Sequence, residues 1–179
     1  MIDVHVLTHE GTQQEWLAQC LQSLEGHPIN VVVIDNTGRS VGEGRARGYA
    51  MGLSPFVAYV DSDDYVLPGC FAACLEALER CHAVVTMELV EYPDGSRYPF
   101  ARPGHAVTVY RREDVMPWLE AMARSPHTAD AQLSRVIRPI QIAREGYVWR
   151  VHPGGDHHKT TRQVFAGESG AWPIQTAQQ

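Results

Sequence analysis

Short apolar runs and helical repeats of apolar positions alternate through the first half of the chain. Residues 2–8 (IDVHVLT), 30–35 (NVVVID) and 56–60 (FVAYV) read as strands, the last of them apolar on both faces. Between the first two, residues 12–25 place Trp16, Cys20, Leu21 and Leu24 at helical spacing. A glycine-rich loop over 36–44 leads into a helix around 45–52, and another helix runs from about Pro68 to Cys81, with proline near its first turn. Residues 83–92 form a further strand, closed by the turn sequence PDGS at 93–96.

This strand–helix alternation predicts an α/β fold: a mostly parallel sheet with helices on both faces. The second half is less regular. It predicts a strand over 105–111, a helix over 112–124 with Val115, Trp118, Leu119 and Met122 inward, a helix over 130–137, and two short strands within 139–151. A single domain over 1–166 is expected, with 1–92 as one half, 93–166 as the other, and 167–179 as a tail.

Composition narrows the class. At 179 residues, 44% hydrophobic and 20% charged, the chain can bury an ordinary core. The N-terminus runs straight into a strand pattern without a signal-peptide order, and no apolar run is long enough to span a bilayer, so a cytoplasmic protein is expected. The four cysteines lack metal-ribbon spacing and read as free core thiols, with Cys70 and Cys74 on one helix face. The net charge of −6 is uneven. Residues 1–130 hold 9 arginines against 18 acids, a balance of −9, whereas 131–179 hold six basic groups against three acids, +3. A basic segment following an acidic body suits an anionic small ligand held between them. Lys159 is the single lysine among 15 basic residues, a bias toward the guanidinium that matches phosphate geometry.

The candidate chemistry lies at strand ends. In an open α/β sheet, ligands bind at the carboxyl ends of the strands. Thr8, Asp35 and the cluster Asp61, Asp63 and Asp64 all fall there. Three carboxylates so close repel one another unless a positive group offsets them. An Asp-x-Asp pair after a strand can hold Mg²⁺ or Mn²⁺ together with substrate phosphates. An acidic cap on the following helix accounts for one aspartate but not for three.

These pieces also occur in a recognisable order. The opening IDVHVLTHEG resembles the first strand and P-T-Y-N turn of glycosyltransferase family 2, the inverting enzymes of the GT-A fold (a Rossmann-like nucleotide-diphospho-sugar transferase fold). The segment 31-VVVIDNTG-38 resembles that family's V-V-D-D-G-S, and 44-GRARGYAMG-52 its A-A-R-N-x-G. The segment 57-VAYVDSDDYVLPG-69 is similar to V-x-F-L-D-x-D-D-x-x-x-P, 109-VYRRED-114 to x-x-R-R-E, and 149-WRVHPGG-155 to Y-R-x-H-P-G-S.

The resemblance implies a metal-dependent, inverting transfer of sugar from a nucleoside-diphosphate sugar, most often a uridine one, to an acceptor hydroxyl. It places Thr8 and Asp35 around the base, Arg47 near the base or diphosphate, and Asp61 with Ser62 on the nucleotide. Asp63 would ligate Mn²⁺ or Mg²⁺, with His152 as a metal ligand or phosphate donor and Asp64 supporting the turn. In 128-TADAQLSRVI-137, Asp130 takes the position of the general base, although Ala129 replaces the family's preceding glutamate. Gly48 replaces the asparagine after the arginine, and Arg47 stands about two residues closer to Asp61 than the family spacing. His152, His157, His158, Lys159 and Arg162 would form a glycine-hinged lid over the diphosphate.

Rival readings are a catalytically degenerate nucleotide-sugar binding module and a sugar-phosphate nucleotidyltransferase. The latter lacks its glycine-rich basic loop after the first strand, and a haloacid-dehalogenase-type phosphotransferase lacks the residue context of its aspartate motif. The acceptor class stays open between an envelope glycan, a lipid-linked sugar and a hydroxylated base in phage DNA.

Overall fold

The structure, a computed structural model, describes residues 1–100 and 107–152. In chain order the elements are β1 (Ile2–Thr8), α1 (Gln14–Leu24), β2 (Ile29–Asp35), α2 (Val41–Ala50), β3 (Phe56–Asp61) and the two-residue β4 (Tyr65–Val66). There follow α3 (Cys70–Ala77), β5 (Ala83–Glu91), β6 (Arg97–Phe100), β7 (Thr108–Arg111), α4 (Arg112–Val115), a 3-10 turn (Met116–Trp118), α5 (Leu119–Ala123), α6 (Ala129–Ile137) and β8 (Ile140–Arg150). The histidine-rich lid beyond His152 and the tail from 167 lie outside the described residues, as does the start of the strand expected from 105.

The sheet order is β2-β1-β3-β7-β5-β8-β4, with β6 also on β5. β1 pairs in parallel with β2 and β3, and β5 with β8, while β7 runs antiparallel between β3 and β5. The five long strands therefore share one direction, and the short β4, β6 and β7 run against it. Helices cover both faces. On one side Cys20, Leu24, Phe71, Cys74 and Leu78 meet Val4, Val6, Ala58 and Val60. On the other, Ala46, Tyr49, Met122, Ala129 and Leu133 meet Val57 and Tyr59. The period-2 alternation of β3 thus serves two cores at once. All four cysteines are free, and Cys20, Cys70 and Cys74 are buried.

Differences from the sequence expectations have local causes. α2 begins at Val41 rather than near 45, because Ser40 accepts from the Glu43 backbone N–H while the Glu43 carboxylate accepts from the Ser40 N–H at 2.8 Å. This reciprocal cap satisfies two orphan donors and starts the helix inside the glycine-rich stretch. The glycines there are contact points: a Cβ on Gly42 would stand 2.3 Å from the carbonyl oxygens of Met122 and Ser125, and one on Gly48 2.3 Å from the His5 ring. The predicted helix 112–124 breaks into α4, the 3-10 turn and α5 at Pro117, whose ring denies the backbone a donor. Trp118 consequently turns outward and is 38% exposed instead of inward. α3 is shorter than its predicted span and starts after Gly69, whose φ is +77°. The two strands expected in 139–151 are one strand, β8, whose register against β5 shifts twice between Val85 and Glu88.

The sheet end remote from the strand carboxyl termini is fastened by a buried ion pair. Asp3 accepts from Arg112 Nη2 at 2.6 Å, from the Ser54 N–H at 2.8 Å and from Asn30 Nδ2 at 2.8 Å. Arg112 also donates to the carbonyls of Ser54 and Tyr49, tying α4 to the turn before β3.

Candidate functional site

Parallel register delivers the candidate residues to one edge. Thr8 at the end of β1 stands opposite Asp35 of β2, and Leu7 opposite Asp61 of β3. Thr8 is half-buried and donates from Oγ1 to the Ile34 carbonyl at 3.3 Å. Asp35 is exposed, and its Oδ1 accepts the Thr37 N–H at 2.9 Å. That bond first, with Arg47 and Arg39 nearby, holds the Asp35 carboxyl below its usual range. Arg47 is exposed and donates to the Asp35 carbonyl at 3.2 Å.

The residue that reaches deepest is Arg45, two positions earlier. It is almost fully buried on α2, with its guanidinium 3.5 Å over the centroid of the Tyr59 ring. Its Nη2 donates to Asp61 Oδ1, and its Nε donates to Asp130 Oδ2 at 3.3 Å. Burial alone would weaken the charge on Arg45. Asp61 and Asp130 more than restore it, so its pKa lies above the ordinary value. One cation on α2 therefore links the end of β3 to the first turn of α6, its partner Asp130 lying 85 residues further along the chain. Sequence reasoning missed it by choosing Arg47, although the short spacing from Arg47 to Asp61 pointed two residues back.

Each of the three aspartates has its own compensation. Asp61 has Arg45. Asp63 Oδ2 lies 2.8 Å from His152 Nε2; burial pushes the Asp63 carboxyl up, but the bond and charge of His152 outweigh it and the net shift is downward. Asp64 is buried and accepts the Tyr147 hydroxyl at 2.6 Å and the Arg150 N–H at 2.7 Å. Burial, then the Asp63 and Asp61 charges, push its pKa well above the carboxylate range. Asp64 thus joins the turn to β8 by hydrogen bonds; the N-cap of α3 is Gly69. Ser62 is buried within the turn.

Arg150 braces the same turn. Its Nη1 donates to the Asp63 carbonyl at 2.5 Å, and its guanidinium lies 5.2 Å from the Trp16 ring and 5.5 Å from the Tyr65 ring. His152 packs on Trp16 with ring centroids 4.4 Å apart, so α1 contributes an aromatic wall. Trp16 had only a helical-core reading in the sequence.

Asp130 is half-buried at the start of α6. Burial raises its pKa, as does the Asp61 charge, while Arg45 acts in the opposite sense. The net result is a carboxylate more basic than usual and fixed in orientation by a buried guanidinium, which is what a general base requires.

A divalent cation is compatible with this edge. Among the described residues no group of three or more His, Cys, Asp or Glu side chains is gathered to hold a metal ion. Mg²⁺ and Mn²⁺ in phosphate sites need only one or two protein ligands. The touching pair Asp63 and His152 is suited to supply them.

Known proteins give the same frame. The family model described as glycosyl transferase family 2 matches residues 11–130. No curated protein matches the chain. Among solved structures, S. aureus TarS 1-349 in complex with UDP-GlcNAc superposes with a TM-score of 0.66 at 15% identity, over 89% of this chain and 60% of that one. The same protein in complex with UDP gives 0.61 at 15% identity, over 93% and 64%, and TarS gives 0.62 at 15% identity, over 93% and 39%. This chain therefore spans less than two thirds of the length of those structures. With its strand-end aspartates, its GT-A sheet and a model match over most of its length, the chain belongs to glycosyl transferase family 2 and is a glycosyltransferase domain.

Proposed function

We propose that the protein transfers a sugar from a uridine-diphosphate sugar to an acceptor hydroxyl, with inversion at the anomeric carbon. The observation that carries this reading is the buried bridge from Asp61 through Arg45 to Asp130. It couples the strand end where nucleotides bind in such sheets to a basic carboxylate on the facing helix. Solved neighbours of this fold hold UDP and UDP-GlcNAc, which supports a uridine donor.

In this mechanism Thr8 and Asp35 border the base, with Arg47 beside them. Asp61, with Ser62 behind it in the turn, faces the nucleotide. Asp130 takes the proton of the acceptor hydroxyl as its oxygen bonds to the anomeric carbon. The bond from that carbon to the diphosphate oxygen breaks on the opposite face, and the nucleoside diphosphate leaves with the electron pair. Arg45 holds the Asp130 carboxylate through Oδ2, and Oδ1 is left buried and without a hydrogen-bond partner among the described residues. Asp63 and His152 would hold Mn²⁺ or Mg²⁺, which when bound offsets negative charge on the leaving diphosphate.

The test is Asp130→Asn. It is expected to bind UDP like the wild type and to lose transfer of labelled sugar from UDP-sugars to hydroxyl acceptors by about 10²-fold or more. Turnover at the wild-type rate would remove Asp130 as the base. Ala129, in place of the family's glutamate, favours the second reading, a nucleotide-sugar binding module. A wild-type protein that binds UDP but transfers to no acceptor would match that reading.

A further inference from the structure

Glu88 lies on β5 with 1% of its surface exposed, and neither carboxylate oxygen has a hydrogen-bond partner among the described residues. An isolated buried carboxyl is costly and is kept in a fold only with a reason. Its surroundings point to the nucleotide edge. Glu88 pairs in register with Tyr147 of β8, and partners in register share a face of the sheet. The Tyr147 hydroxyl reaches Asp64 in the aspartate turn, and among the described residues Asp61 is the charge that perturbs Glu88. Glu88 therefore stands behind the turn, within electrostatic reach of the carboxylate at the end of β3.

We propose that Glu88 is a further substrate-contacting residue, hydrogen-bonded to a hydroxyl of the sugar held beside Asp61; this rests on the reading of the edge as a nucleotide-sugar site. Burial, with the Asp61 charge added, pushes its carboxyl up to about 8, so at neutral pH it is mostly protonated. It then offers both a donor and an acceptor, the pair a sugar hydroxyl can use. The contact belongs to the sugar and not to the nucleotide, so its loss is read as the difference between UDP-sugar and UDP affinity.

The experiment titrates UDP, UDP-GlcNAc, UDP-glucose and UDP-galactose, each with Mn²⁺, into the wild type, Glu88→Gln and Glu88→Leu. At least one UDP-sugar is expected to bind the wild type more tightly than UDP. Glu88→Leu should weaken that sugar by about tenfold and leave UDP unchanged, the scale of one lost hydrogen bond. Glu88→Gln keeps an N–H donor of the same length and should lose no more than about threefold. Thermal melting of both variants checks the fold, and removing a lone buried carboxyl should not lower the midpoint. A Glu88→Leu protein with wild-type sugar-to-UDP ratios would overturn the proposal, as would equal losses for UDP and UDP-sugar, or no UDP-sugar binding better than UDP. Absence of UDP binding to the wild type would strike the site reading itself.

Discussion

Replacing Arg45 with methionine keeps the volume of the buried stem and removes the charge that Asp61 and Asp130 share. At the 3.3 Å separation of Nε and Asp130 Oδ2, an effective dielectric of about 20 gives roughly 5 kcal/mol of attraction. The Asp61 carboxylate is 41% exposed, so solvent screens that arm and it adds little. Breaking a buried pair by removing one partner typically costs about 3–5 kcal/mol. For a chain of this size that corresponds to a fall of about 6–20 °C in the unfolding midpoint. The pH dependence isolates the cause. Folding already raises the Asp130 pKa, so the native state binds a proton that the unfolded chain has released. Stability is therefore lost as pH rises from the ordinary carboxylate value through the folded one. Without Arg45 the folded value moves higher, so the deficit of Arg45→Met should grow as pH rises from the acid side of the carboxylate range to mildly alkaline pH. Urea unfolding of both proteins across that range measures it. A deficit of under about 1 kcal/mol at pH 8, or one independent of pH, would refute the claim that Arg45 compensates Asp130.

Other predictions concern the frame that aims the site. Arg112→Met should cost about 3–5 kcal/mol by urea unfolding, since it strips the buried Asp3 of its cation and frees three oxygens. Burial pushes the Asp3 carboxyl up, but bonds from Asn30 and Ser54 and the Arg112 charge bring it below the usual value. Its contribution is thus present above the unfolded carboxylate range and fades as pH falls through the folded value, so the gap between the two proteins should narrow as pH falls below the ordinary carboxylate range. Gly42→Ala places a methyl 2.3 Å from two carbonyl oxygens and should lower stability by about 1–3 kcal/mol despite the better helix propensity of alanine. An unchanged melting midpoint would mean that α2 can move off α5 freely.

The parallel half of the fold was legible because its strands are apolar runs and its helices repeat every three to four residues. The convergence of Thr8, Asp35 and Asp61 followed from strand direction alone. Less legible were features set by neighbours distant in sequence. Glycines at 42 and 44 suggested a loop, whereas together with Gly48 they let α2 press onto α5 and β1, and the Ser40…Glu43 pair that starts the helix was the overlooked local signal. Arg45 and Arg47 are equivalent by composition; only the side of α2 that each occupies separates a buried bridge from an exposed contact. Glu88 sits in a strand whose alternation suggests an outward polar position, and burial by β6 and β8 is invisible locally. β8 reads as two strands because its first half is polar, yet Gly146 lets it close on Thr86 and Cys70 without a break.

The most direct test of the account is calorimetric titration of UDP into the wild type and Asp63→Ala, each with Mn²⁺ and with EDTA. UDP is expected to bind the wild type in a Mn²⁺-dependent manner, and Asp63→Ala is expected to lose that dependence. No UDP binding under any condition, or metal-dependent binding that Asp63→Ala leaves intact, would contradict it.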